Sequence, residues 1–118
     1  MLSDSEKLAL THIRDNITLA NSFVAGMNYQ EFQLDSKCIY AVTRALEIIS
    51  EASRRLSPAF KEWHSGLPWR EIAAAGNIYR HDYEDVIEER LWLTVLEALP
   101  PLLKIVEAEL GPGTSRAP

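Results

Sequence analysis

The sequence predicts an all-α protein, an up-and-down bundle of four main helices and one short helix. Apolar residues recur at spacings of three and four along most of the chain, which places them on one face of a helix. No stretch alternates apolar and polar residues between turn signals as a half-buried β-strand does. With 118 residues, of which 47% are hydrophobic, the chain is long enough for one packed core without disulfides or a structural metal.

The first helix is predicted to begin at Ser3, because Ser3 and Glu6 have the spacing of a capping box. Gly26 ends it. Its apolar face repeats at helical spacing over Leu10, Ile13, Ile17, Ala20 and Val24. Residues 28–35 are expected to form a connector.

Asp35 or Ser36 caps the second main helix, which stops before Ser57. Its apolar face consists of Val42, Ala45, Ile49, Ala52 and Leu56. Ser57 as cap and Pro58 at the first helical position predict a short helix over residues 58–64.

Residues 69–83 have a helical composition interrupted only by Gly76, and they form the third main helix. The last helix covers residues 84–110, with an apolar face of Leu91, Val95, Leu99, Leu102 and Val106. Pro100 and Pro101 are expected to kink or break it, because proline lacks an amide proton and clashes with the preceding turn. A single domain is therefore predicted over residues 1–110, followed by a disordered tail over 111–118.

Charge and composition indicate which macromolecules the protein can contact. The net charge of −5 argues against a protein that holds duplex nucleic acid by bulk electrostatics. Basic residues nevertheless outnumber acidic ones between Thr43 and Arg70, which permits a local contact with RNA. The lone Cys38 cannot form an internal disulfide, and no apolar run is long enough to cross a bilayer. We therefore expect a cytoplasmic protein with no membrane contact.

The candidate chemistry lies in the segment LPWREIAAAGNIYRHDY, residues 67–83. On an α-helix Asn77 and His81 share a face, so Asn77 can orient the imidazole of His81 by a hydrogen bond. His81 titrates near neutral pH and can act as general base or acid, and Arg80 can neutralise a phosphate. The alternative is a solvated helix end with acidic neighbours and no catalytic role.

Four blocks in order resemble the HepT-like branch of the HEPN proteins: NYQEFQLD, ALEIISEASRRLSP, LPWREI and GN..RH.Y, followed by LP in the last helix. The resemblance covers about Asn28 to Leu110. It implies a helical bundle that forms a homodimer and brings two RX4-6H motifs together across a cleft. It also implies a metal-independent endoribonuclease without a cofactor, acting as a toxin whose antitoxin is an MNT-type nucleotidyltransferase.

Residue by residue, His81 matches the histidine of the family motif, and Asn77 matches the polar residue after the motif arginine. Tyr83 matches the tyrosine to which such an antitoxin transfers AMP. The arginine position is occupied by Gly76. On an α-helix Arg80 lies only about 40° around the axis from Gly76, so its guanidinium can occupy the volume that the motif arginine would fill.

The resemblance then implies a mechanism in which His81 takes the proton of an RNA 2′-hydroxyl and Arg80 neutralises the charge that builds on the phosphate. Glu51 lies in a block resembling the family's GEA, with Ser50 in place of the glycine. From the neighbouring helix it can support Arg80 or His81.

Two other classes stay open on the sequence. The first is a catalytically inactive HEPN dimer that binds a partner or a nucleotide, which the missing arginine favours. The second is a metal-dependent phosphohydrolase of the HD type, with ligands drawn from His64, His81, Asp82 and Asp85. Its ligands normally come from several separated helices, whereas three of these four residues lie close together in the chain, so no metal site is predicted.

Overall fold

The computed structural model describes residues 2–80 and 84–111, except for the side chains of residues 78–80 and 84–86. The described residues form helices and turns and contain no β-strand. The elements in order are α1 Asp4–Val24, α2 Tyr29–Gln33, α3 Ser36–Arg54, α4 Pro58–Trp63, α5 Trp69–Ala74, a 3₁₀ helix Ala75–Arg80, α6 Glu84–Leu93, a π-helical turn Thr94–Ala98 and α7 Leu99–Leu110. The predicted all-α bundle is confirmed.

The hydrophobic core consists of the faces that the sequence predicts. All fifteen apolar residues named above for the first, second and last helices are buried. α1 packs along α3 and against α7, and buried side chains from α2, α4, α5 and α6 join the same cluster. Cys38 is also buried within this cluster, where burial raises the pKa of its thiol. None of the helices in the described ranges is both long and apolar enough to cross a membrane.

The predicted caps are present. The Ser3 hydroxyl accepts a hydrogen bond from the Glu6 amide at 3.0 Å, and the Glu6 carboxylate accepts one from the Ser3 amide at 3.2 Å. The second oxygen of Glu6 accepts from the amide of Ser57, the cap of α4, at 3.1 Å. These bonds from Ser57 and Ser3 lower the pKa of Glu6. Asp35 is the cap of α3.

The expected connector over residues 28–35 contains a helix, so that prediction is wrong in part. Asn28 and Glu31 form a second capping box that begins α2. Phe32 on α2 is fully buried, and its ring centroid lies 5.3 Å from that of Trp92 on α6. The sequence carries the signal for this helix, because the spacing of Asn28 and Glu31 matches that of Ser3 and Glu6.

The two prolines of the last segment do not interrupt its helical course. The amide of Leu99 donates to the carbonyl of Thr94, five residues back, which widens the turn just before Pro100. A wider π turn gives the proline rings room beside the carbonyls of the preceding turn. Pro100 and Pro101 then occupy the first turn of α7, where a missing amide proton costs little.

Candidate functional site

The segment with the candidate chemistry is not one α-helix. α5 ends at Ala74, and residues 75–80 form a 3₁₀ helix that packs against α3. In this helix Gly76 is buried and Asn77 is exposed. The predicted site residues His81 and Tyr83 and the side chain of Arg80 lie outside the described residues. Their roles therefore stay predictions.

A buried serine on α3 bonds the backbone of the segment in which α5 ends. In an α-helix the amide of Gly76 would donate to the carbonyl of Ile72, four residues earlier. Here the Gly76 amide donates to the hydroxyl oxygen of Ser50 at 2.8 Å, and the hydroxyl donates to the Ile72 carbonyl at 2.8 Å. The side chain is inserted into the helical ladder, which is one recognised cause of a local change in helix geometry.

The same face of α3 supplies a second contact. Arg54, four residues after Ser50, donates from its guanidinium to the carbonyl of Ala73 at 2.6 Å. Ser50 and Arg54 together hold the last turn of α5 and the start of the 3₁₀ helix on α3. Neither contact is predictable from local sequence, although Ser50 differs from the glycine of the family's GEA block.

The close approach of the two segments depends on glycine at position 76. A Cβ atom there would lie 3.1 Å from the Cα of Glu47 and 3.2 Å from both Cβ and Oγ of Ser50. These contacts are tighter than ordinary van der Waals distances. A larger residue therefore requires a shift of α3 or of the motif segment, the 3₁₀ helix over residues 75–80. A residue other than glycine therefore does not fit this backbone as it stands.

The predicted α-helical spacing of Gly76 and Arg80, by which Arg80 would replace the missing arginine, is wrong, because both residues lie in a 3₁₀ helix. An α-helix turns about 100° per residue, whereas a 3₁₀ helix turns about 120°. Positions 76 and 80 are therefore about 120° apart around the 3₁₀ axis instead of about 40°. That Arg80 neutralises the phosphate charge stays a prediction.

Glu51, predicted as a supporting residue, is exposed on α3, whereas its neighbour Ser50 is buried. Ser50 bonds the Gly76 amide and Arg54 bonds the Ala73 carbonyl, so the position next to Glu51 makes the contact with the motif segment.

An apolar cleft of about 350 Å³ opens beside the motif segment, between α3, α5 and the α6 to π region. Its charged lining residues are Glu71 and Arg90. Arg90 thus lies at a cleft that Ala75, the first residue of the 3₁₀ helix, also lines. Arg54 and Arg90 are thus two described arginines that lie near the motif segment.

The metal-dependent alternative requires a cluster of ligands. Among the described residues, no three His, Cys, Asp or Glu side chains lie close enough together to hold a metal ion. His64, one of its proposed ligands, is paired with Glu109 on α7 at 2.8 Å, and its ring packs against Phe60. His81 and Asp82, and the side chain of Asp85, lie outside the described residues.

Comparison with known proteins identifies the family. A family model described as ribonuclease HepT-like matches residues 13–109. A Thermococcus cleftensis protein named probable ribonuclease HepT is 40% identical over 98 residues, which cover 83% of this chain and 89% of the relative. A candidate RNase of Caldanaerobacter subterraneus subsp. tengcongensis is 36% identical over 98 residues, covering 83% of this chain and 88% of that protein.

A candidate RNase of Methanocaldococcus jannaschii is 40% identical over 85 residues, covering 72% of this chain and 78% of the relative. No solved structure matches the chain closely enough to be counted as similar. The family match spans α3, α5 and the 3₁₀ helix, the elements that build and hold the motif segment. The chain therefore belongs to the HepT-like ribonuclease family of HEPN proteins.

Proposed function

We propose that this protein is a cytoplasmic, metal-independent endoribonuclease, the toxin of a pair whose antitoxin is an MNT-type nucleotidyltransferase. The observation that carries the proposal is the family match over residues 13–109, together with relatives that are named as ribonucleases. The retained histidine of the motif and the polar residue at position 77 support catalysis.

In the proposed reaction His81 removes the proton of a 2′-hydroxyl, and the freed oxygen attacks the adjacent phosphorus while the 5′-oxygen leaves and takes up a proton. Asn77 orients His81, and Glu51 supports the site from α3. Arg80 neutralises the charge that builds on the phosphate oxygens. DNA lacks the attacking hydroxyl, so it is not a substrate by this route.

The charge distribution near the motif segment supports RNA as the substrate. Arg54 and Arg55 are exposed at the end of α3, and Arg54 touches the backbone just before the motif segment. Arg90 lines the adjacent cleft. These guanidinium groups can attract a phosphate backbone even though the chain carries a net charge of −5 and Glu71 lines the same cleft as Arg90.

The direct test is cleavage of diverse single-stranded RNAs by the purified protein, with EDTA present throughout. Cleavage that EDTA does not inhibit, with DNA of the same sequences left intact, is expected. Loss of cleavage in EDTA would refute the metal-independent mechanism.

The second candidate function is a catalytically inactive dimer that binds a partner or a nucleotide. The observation that favours it is glycine at the position of the motif arginine, where even a Cβ atom would lie within 3.2 Å of Glu47 and Ser50. A wild-type protein that cleaves none of the RNAs, with or without divalent cations, would support this function over the first.

We expect a homodimer, because one bundle of this size supplies only one wall of the cleft that the family builds from two motifs. Leu93, which lines the cleft, and Leu96, three residues later, are exposed and are suited to such a contact. Light scattering should give twice the chain mass of 13.3 kDa. A mass of one chain at high micromolar concentration would contradict the dimer.

We expect Tyr83 to be the residue that the antitoxin modifies with AMP. The added phosphate brings negative charge and bulk next to a site for RNA phosphate, so the modified protein should lose cleavage. Mass spectrometry of protein co-expressed with its antitoxin should find the adenylyl group on Tyr83. A Tyr83→Phe variant is the control, and modification found only on other residues would refute the assignment.

A further inference from the structure

The hydroxyl of Ser50 occupies the place of a backbone hydrogen bond. Ser50 is 1% exposed, and its Oγ lies 2.8 Å from both the Gly76 amide nitrogen and the Ile72 carbonyl oxygen. These two backbone groups are the pair that an uninterrupted α-helix joins directly. The α-helical geometry of α5 stops at Ala74, and the 3₁₀ helix begins at the next residue.

We propose that Ser50 is a positioning residue, whose inserted hydroxyl ends α5 and sets the 3₁₀ register of the segment that leads to His81. The structural part of the proposal is independent of any activity. Its catalytic consequence rests on the proposed endoribonuclease function.

The change of register is large enough to matter for catalysis. Between positions 76 and 80 an α-helix advances about 6 Å and a 3₁₀ helix about 8 Å, and their rotations differ by about 80°. A misplacement of about 1 Å in a catalytic geometry can cost about 100-fold in rate. The direction in which residues 77–80 extend away from α3 depends on whether the segment is an α-helix or a 3₁₀ helix. This holds for any cation that the site uses.

Other contacts prevent the motif segment from compensating by sliding along α3. The Arg54 guanidinium holds the Ala73 carbonyl, one residue after the carbonyl that Ser50 holds. At Gly76 the absence of a side chain lets the backbone approach Glu47 and Ser50 closely. The hydrogen bond therefore depends on both residues, because the Ser50 hydroxyl reaches the Gly76 amide at 2.8 Å only where position 76 has no Cβ atom.

The structural test compares Ser50→Ala with wild type by NMR, through the ¹³Cα shifts of residues 75–80. Without the hydroxyl, the Gly76 amide can bond the Ile72 carbonyl directly, and the shifts are expected to move towards α-helical values. Ser50→Thr keeps a hydroxyl and should keep the wild-type shifts. Ser53→Ala is the matched control, because Ser53 is also buried on α3 but its hydroxyl bonds the carbonyl of Ser50 within the helix.

Wild-type shifts for residues 75–80 in folded Ser50→Ala would overturn the proposal. So would an equal change in Ser53→Ala, since the effect would then be general to α3. Ser50→Gly removes the hydroxyl without adding apolar volume and serves as the second variant if Ser50→Ala does not fold.

The catalytic test measures kcat and KM for RNA cleavage by the same variants. We expect kcat of Ser50→Ala to fall by about 100-fold with KM little changed, and Ser50→Thr to restore it. A wild-type kcat in a Ser50→Ala protein whose shifts have moved would show that the register is irrelevant to catalysis. If wild type itself does not cleave RNA, the proposed function fails, and the NMR comparison still decides the structural role of Ser50.

Discussion

His81→Ala is expected to abolish RNA cleavage while leaving the fold intact. A general base contributes about 100- to 10,000-fold to such a reaction, and no second histidine of the chain lies within the motif. His12→Ala on α1 makes the same chemical change outside the motif and should retain wild-type kcat. Initial rates on a single-stranded RNA, with circular dichroism spectra of each variant, provide the measurement.

Arg80→Ala tests the phosphate cation separately from the general base. If Arg80 is the phosphate cation, its loss should lower kcat by about 100- to 1000-fold. Wild-type activity in Arg80→Ala would assign the cation to another residue, and Arg90 and Arg54 are then the described arginines to test next.

Full activity in His81→Ala would refute the proposed mechanism as a whole.

Reintroducing an arginine at position 76 is not expected to rescue Arg80→Ala by itself. The first atom of the new side chain meets the Cα of Glu47 at 3.1 Å and Ser50 at 3.2 Å. Two of the three contacts involve the Ser50 side chain, and Ser50→Gly, which would relieve them, also removes the hydroxyl that sets the register.

Phe32→Ala is expected to lower the free energy of unfolding by about 3–5 kcal/mol, as is typical for a buried aromatic residue reduced to alanine. Phe32 is 0% exposed and packs against Trp92, so it joins α2 to α6. A loss of this size is a large part of the stability of about 5–15 kcal/mol that a domain commonly has. Chemical denaturation followed by tryptophan fluorescence measures it, and Trp92 reports on the contact directly.

Leu34→Ala is the matched control. Leu34 lies two residues from Phe32, at the end of the same helix, but is 86% exposed. Its truncation should change the unfolding free energy by less than about 0.5 kcal/mol. Equal losses in the two variants would show that the segment 28–35 contributes through its backbone alone, contrary to the observed packing.

The sequence by itself determined the helical class, the caps and the buried faces of α1, α3 and the last helical segment. Each depends on residues three or four apart in the chain, and such local spacing determines which side chains share a helix face. The family was recognisable from the sequence for a related reason, since the order and spacing of its blocks are properties of the chain. The Asn28 and Glu31 cap was equally local and could have been found.

The tertiary structure alone decided the geometry of the motif segment. Composition predicted one α-helix through Gly76, and nothing within residues 69–83 contradicts that prediction. The change to a 3₁₀ helix comes from Ser50, which is 26 residues away from Gly76 in the chain and meets it only after α3 and α5 have packed. A local pattern contains no information about a hydroxyl that enters the helical ladder from another helix, and this long-range contact sets the register on which the proposed catalytic geometry depends.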